Sequence, residues 1–201
     1  MEKMEQNNKT TGAGMRAMLK KRFSAKRIAL MAVFVALSFA VSLFSFSIFP
    51  ASVVFFLELD FGNVFILLVS FLLGPLEGVI VCVLKELFRI LAGSTGGVGE
   101  LANMLMTSAF ILLPSIVYQK KKGFKTVCIT LAGACLIGTV AALLVNRFIT
   151  FPLFLHSNAV ATFNAGFWLI VLFNLIKTTS ISILTMLLYK RLSNVLKKMK
   201  I

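Results

Sequence analysis

Three polar residues interrupt the apolar C-terminal half of this chain where chemistry is possible: Asn146, Asn174 and Lys177. A lysine held at the centre of a bilayer costs roughly 2.5 to 3.5 kcal/mol on insertion scales, so its presence needs a reason. Asn174 and Lys177 stand three apart and share one helix face. Asn146 offers a donor and an acceptor from one amide, and the three can read the edge of a polar heterocycle. The competing structural account has both amides bonding helix to helix, with Lys177 pairing with Glu86 or extending to the interface.

A second group, Lys85, Glu86 and Arg89, reads as an ion network. Glu86 and Arg89 can pair at i, i+3, and both cations can reach Asp60, Glu58 or Glu100 in flanking loops. Phe55, Phe56, Phe61 and Phe148 lie near the same helix ends, where a flat aromatic ligand finds stacking partners. The run Gly93 to Glu100 superficially resembles a phosphate cradle but lacks the lysine a P-loop requires, so it reads as a turn or gate. No His-Glu-x-x-His and no Gly-x-Ser-x-Gly occurs, and the single histidine, His156, falls in a loop. An enzyme is therefore not expected. Cys82, Cys128 and Cys135 lie in apolar runs without metal spacing and read as buried core thiols, with no metal and no cofactor expected.

The elements that must position these residues follow from composition. Of 201 residues 59% are hydrophobic and mean hydropathy is +0.95, far more apolar surface than one soluble core needs. Apolar runs occupy 28–50, 62–91, 101–118, 124–155 and 166–189, against the roughly 20 residues that span a bilayer. The second run holds Gly74-Pro75 at its middle, where a helix already under way is interrupted. Seventeen of the 21 cations lie in residues 1–27, 118–125 and 190–200. Short basic segments stay on the cytoplasmic side. Splitting at Gly74-Pro75 puts four spans before the middle basic segment and two after it, so all three face the cytoplasm. The expected fold is all-α: a polytopic membrane protein of six transmembrane helices with both termini cytoplasmic. Residues 1–27 form a basic cytoplasmic tail, 28–189 the six-helix membrane domain, and 190–201 a basic cytoplasmic C-terminus. Helices two and three come out short, and Val53 to Leu57 is a candidate extension of helix two. Counting from a start near Phe167, Asn174 lies about 10 Å and Lys177 about 15 Å into helix six. With the charge confined to loops and tails, no basic stripe is left for nucleic acid.

Helix one carries Ala32, Ala36 and Ala40 at intervals of four, a small-residue stripe that lets another helix approach closely. With no nucleotide site of its own, the chain must dock a motor to do ATP-driven work. The most specific stretches are Leu57-Glu58-Leu59-Asp60-Phe61, Gly74-Pro75-Leu76-Glu77-Gly78 leading to Leu84-Lys85, Gly99-Glu100-Leu101-Ala102-Asn103, the Asn146 region, and Phe173-Asn174-Leu175-Ile176-Lys177. In their order and spacing the chain resembles the substrate-binding S components of energy-coupling factor (ECF) vitamin transporters, most closely the riboflavin-specific branch, over residues 28–189.

The resemblance implies an outward-facing pocket built from the first outer loop and helices four to six. Asn146, Asn174 and Lys177 would bond the flavin ring and ribityl hydroxyls, Leu57 and Leu59 would close over it, and Asp60 would fix the loop. The alanine stripe would meet a transmembrane coupling subunit, two cytoplasmic ATPases would supply the energy, and the chain would sit in a prokaryotic plasma membrane and reorient to release riboflavin inside. Three departures bear on the ligand: Gly62-Asn63-Val64-Phe65 replaces a Ser-Asp-Ile-Pro continuation, Glu86 stands where Asn is expected, and Arg147 where an aromatic is usual. They leave a flavin analogue or another vitamin open. A small membrane enzyme or a structural membrane protein is the reading from another class.

Overall fold

The computed structural model describes residues 24–198 except 53, 55, 93–95 and 122. Most of the N-terminal basic tail, Lys122 and the first part of the Gly93 to Glu100 turn therefore lie outside the described residues. Helix α1 spans Ala25–Ser42, and the loop after it carries two short strands, β1 (Phe46–Ser47) and β2 (Glu58–Leu59). These pair antiparallel, Phe46 with Leu59 and Ser47 with Glu58. Then follow α2 (Asn63–Leu72), α3 (Pro75–Ala92), α4 (Val98–Lys120) and α5 (Phe124–Val145). A π-helical turn over Asn146–Thr150 leads into a short α6 (Phe151–Leu155), a 3-10 turn at His156–Asn158, and the 40-residue α7 (Ala159–Lys198). Three helical stretches, Ala25–Ser42, Val98–Lys120 and Lys125–Tyr189, are long and apolar enough to cross a membrane.

The break between α2 and α3 falls where the glycine-proline pair places it. Gly74 takes φ +134°, a region that favours glycine, and a Cβ there would collide with Gln119 and Glu77. Pro75 is the first residue of α3, where its missing N–H costs nothing. Elsewhere the expected boundaries shift. The described part of Val53 to Leu57 is non-helical, so α2 begins only at Asn63 and runs for 10 residues. The expected fifth helix is interrupted by the π turn. The sixth starts at Ala159, so Asn174 and Lys177 lie about 22 and 27 Å along it at helical rise, deeper than expected.

Contacts fix the helix directions. The end of α1 meets the start of α2, where Ser42 Oγ donates to Asp60 Oδ1 (2.9 Å) and Ser38 Oγ to Gly62 O (2.8 Å). Its start meets the α2–α3 break, where Arg27 donates to Leu73 O (2.8 Å). Arg89, near the end of α3, reaches Ser42 O (2.7 Å). A Cβ at Gly138 of α5 would lie 3.3 Å from Phe110 of α4 and Thr178 of α7, and one at Gly133 would lie 3.4 Å from Leu113, so these helices approach closely there. Cys135 Sγ and Ser182 Oγ lie 3.7 Å apart. Residue numbers rise along one helix as they fall along its neighbour, so successive long helices alternate in direction. The ends of α1, α3 and α5 therefore gather with the starts of α2 and α4, and the His156 turn returns α7 past the same place.

One apolar core, including Phe34, Ile66, Leu67, Ile111 and Ile181, joins α1, α2, α4 and α7. A second, with Val54, Leu57, Leu59, Phe151, Phe163 and Phe173, fastens the β1–β2 loop onto α6 and α7. Leu136, Val140 and Leu144 of α5 point outward, as a helix side facing lipid does. The three cysteines are not uniformly buried: Cys82 is, Cys135 is half-buried, and Cys128 is exposed on that apolar exterior.

Candidate functional site

Where the helix ends gather, side chains from five elements form one bonded cluster. Lys85 of α3 is fully buried between two acids, bonding Asp60 of the loop and Glu86 Oε1 (2.6 Å). Asp60 also accepts from Ser42 Oγ and from the Gly62 backbone N–H (2.8 Å), so one carboxylate ties α1, α2 and α3. Burial pushes the Asp60 carboxyl up, but the Lys85 ammonium and its hydrogen bond, with Lys177 and Ser42, together hold the group below its ordinary range. Arg89 donates to Glu58 Oε2 (2.9 Å) and Ser45 Oγ (3.0 Å), clamping both sides of the hairpin, and passes within 4.0 Å of Glu100. The expected ion network is present, with Lys85 rather than Arg89 seated on Glu86.

Lys177 joins this cluster from α7, but not through Glu86. Its Nζ donates to Asn103 Oδ1 (2.8 Å) and more weakly to Glu58 O (3.4 Å). Asn103 is the link: its Nδ2 donates to Glu86 Oε1 (2.5 Å) and Asp60 Oδ2 (3.3 Å), so the amide lies with its oxygen toward a cation and its nitrogen toward two acids. Sequence reasoning gave Asn103 no role beyond its motif. The rule that selects Asn146, a polar amide inside an apolar run, selects Asn103 equally.

Beside the cluster lies a cavity of about 50 Å³. Its walls come from the loop (Phe56, Leu57), α3 (Glu86, Arg89), α4 (Asn103, Met106), the π turn (Asn146, Thr150) and α7 (Phe173, Lys177). Asn146 is fully buried on this wall, and the wide π turn that begins there is a feature frequent at functional sites. Its Nδ2 donates back to Ala142 O (2.8 Å), while its Oδ1 has no partner among the described residues. Asn174 repeats the pattern, with Nδ2 on Ile170 O (2.8 Å) and a bare buried Oδ1. Neither side-chain bond joins one helix to another, contrary to the structural account, because each amide nitrogen turns to the carbonyl four residues back on its own helix.

The candidate residues thus divide. Leu57, Asn146 and Lys177 line the cavity; Asn174 is buried behind its wall, and Leu59 belongs to the apolar core that fastens the loop. Among the aromatic candidates Phe56 lines the cavity and stacks on Phe154 with ring centroids 5.0 Å apart. Phe61 turns to Phe46, Phe148 is exposed, and Phe55 lies outside the described residues. Arg147 stands over the Phe163 ring, 5.6 Å from its centroid. Ala32, Ala36 and Ala40 are all exposed, on the side of α1 opposite its buried Phe34, Val35 and Ser38.

Comparison with known proteins agrees with this architecture. The family model described as the substrate-specific component of ECF transporters matches residues 26–189. The Riboflavin transporter RibU of Staphylococcus aureus (strain TCH60) is 33% identical over 151 residues, covering 71% of this chain and 78% of its own. The Riboflavin transporter FmnP of Bacillus subtilis (strain 168) is 27% identical over 176 residues, covering 83% of this chain and 92% of its own. The solved structure of the S component of a bacterial ECF transporter superposes with a TM-score of 0.74 at 33% identity, covering 86% of this chain and 98% of that one. With the family model matching residues 26–189, from the first turn of α1 into the later part of α7, this chain belongs to the substrate-specific components of ECF transporters.

Proposed function

We propose that this chain captures riboflavin from outside the cell and delivers it inward with energy supplied by partner subunits. The observation that carries the reading is Asn146: a fully buried amide on a cavity wall, its nitrogen tied to its own helix and its oxygen bare. A buried acceptor without a donor costs roughly 1 to 3 kcal/mol, which a ligand N–H recovers. The imide edge of a flavin offers one N–H between two carbonyls, and Lys177 stands on the same cavity to donate to a carbonyl. Phe56 and Phe173 supply the flat apolar surfaces a tricyclic ring requires. Both relatives compared above are riboflavin transporters by name. Ligand pockets commonly reach some 300 Å³ or more; a cavity of 50 Å³ must therefore widen, and Leu57 and Phe56 on the loop are the parts to move.

In this reading six helices cross the membrane, both termini and the Lys120 to Lys125 turn face the cytoplasm, and the cavity end faces out. The bilayer is a prokaryotic plasma membrane. The exposed Ala32, Ala36 and Ala40 receive the transmembrane coupling subunit, which carries two cytoplasmic ATPases. The protein performs no chemical conversion and uses riboflavin as cargo, not cofactor.

Titrating the purified protein with riboflavin while following flavin fluorescence tests the substrate: quenching is expected, and its absence with thiamine or pantothenate bound instead overturns the assignment. Mass spectrometry of copurified ligand separates riboflavin from a flavin analogue, another vitamin or no ligand. Lys177→Ala and Asn174→Ala should each weaken binding; unchanged affinity in both moves the pocket elsewhere. Ala36→Trp should retain ligand binding and lose association with the coupling subunit.

A further inference from the structure

Glu86 keeps bonding capacity that no described residue uses. It is 2% exposed, on the last turns of α3, and lines the cavity. Its Oε1 accepts from Lys85 Nζ (2.6 Å) and Asn103 Nδ2 (2.5 Å); its Oε2 is buried and has no hydrogen-bond partner among the described residues. Leaving a carboxyl oxygen bare is costlier than leaving an amide oxygen bare, because desolvation weighs most on charged groups. The neighbouring cations point elsewhere: Lys85 also serves Asp60, Arg89 serves Glu58 and Ser42, and Lys177 serves Asn103. Asn146 belongs to the same cavity but presents another acceptor. The missing donor must therefore come from what enters.

A heteroaromatic edge satisfies an amide well, since it alternates donors and acceptors. A carboxyl oxygen matches a hydroxyl better, because the hydroxyl donates to it while its own lone pairs stay free for the Lys177 ammonium. We infer that Glu86 Oε2 is a specificity contact that accepts a hydrogen bond from a hydroxyl of the cargo's polyol chain. The ring is then read from the α5 and α7 side and the chain from the α3 side. This rests on the riboflavin reading.

The experiment compares riboflavin with lumiflavin, the same ring bearing a methyl in place of the ribityl chain, on the detergent-solubilised full chain. Glu86→Gln retains the shape and the bonds to Lys85 and Asn103 through its carbonyl oxygen, and places an NH2 where Oε2 stood. Riboflavin should bind roughly tenfold more weakly than to wild type, the usual size of a lost charge-assisted bond, while lumiflavin affinity stays the same. Glu86→Asn, the shorter amide, should show the same selective loss. Equal loss of both flavins in both variants makes Glu86 a support for Lys85 and Asn103 and overturns the inference. Unchanged riboflavin binding overturns it as well. Wild-type protein that binds neither flavin refutes the riboflavin assignment instead, a result the mutant comparison does not mimic.

Discussion

The two ends of the helix bundle both bury polar groups, and they do so differently. At the end away from the cavity, Arg27 caps Leu73 O and approaches Glu77 (3.7 Å), Ser115 Oγ donates to Ser70 Oγ (2.7 Å), and Tyr118 meets Tyr189 hydroxyl to hydroxyl against Phe71. At the cavity end, Asp60, Lys85, Glu86, Asn103 and Lys177 form a continuous bonded chain that still leaves acceptors over. Four of the five buried side-chain oxygens without a partner among the described residues, on Ser47, Glu86, Asn146 and Asn174, belong to that half; Thr185 is the exception. Bonds that hold helices together need only close on themselves. Acceptors left over after closure are a cost to folding that a ligand can offset, and in the proposed function they mark the end that binds.

Removing a charge from each end breaks or sharpens this contrast most strongly. Lys85→Met strands Asp60 and Glu86 without their shared cation, and breaking a buried ion pair costs about 3 to 5 kcal/mol. We expect a large drop in Tm in detergent. Arg27→Met, whose side chain is 27% exposed, should cost no more than about 1 kcal/mol. Equal losses would show that the ends are built alike.

A smaller effect separates binding from stability at one residue. Asn146→Leu replaces the bare amide with an apolar group of similar size, which is nearly neutral or stabilising when the polar group had little to bond. Riboflavin affinity should fall roughly tenfold or more while Tm holds or rises. A fall in both makes Asn146 a structural amide.

Acid titration probes the cavity end again. Asp60 is held below its unfolded pKa, so it adds stability above about pH 4 and loses it as pH falls further through the depressed value. Asp60→Asn should flatten the acid limb of the Tm profile and leave it unchanged from pH 6 to 8 apart from a constant offset. The smallest expected change is at the far end: Tyr118→Phe removes one hydroxyl of the tyrosine pair and should cost about 1 kcal/mol with riboflavin affinity untouched. Weakened binding there would mean the ends are coupled.

Much of the fold was legible because its signals are local. Gly74-Pro75 interrupts a helix wherever it stands, and the alternation of helix directions follows once that break is accepted. The outward face of α1 was readable because Ala32, Ala36 and Ala40 repeat at helical spacing with Phe34, Val35 and Ser38 between them. The π turn at Asn146, the early start of α7 and the β1–β2 pairing carry no comparable signal: Asn146–Thr150 has the composition of ordinary helix, and each strand is two residues long. For the site, polar residues in apolar runs singled out Asn146, Asn174 and Lys177 as candidates; Asn103 meets the same criterion and was read only as part of its motif.

What the sequence determined by itself is the solvent and the candidates: an apolar chain with its charge in tails and turns, a break at Gly74, and a short set of intramembrane amides and ions. Each residue's transfer free energy and backbone preference is its own property, so these conclusions needed no neighbours. Only the tertiary structure decided the partners. Lys177 bonds Asn103 instead of Glu86, Asn174 falls behind the wall while Asn146 lines it, and Glu86 is left with one oxygen bare. Those outcomes depend on the rotation and depth of five packed elements at once, which a few degrees in one helix would change and which no spacing along the chain encodes.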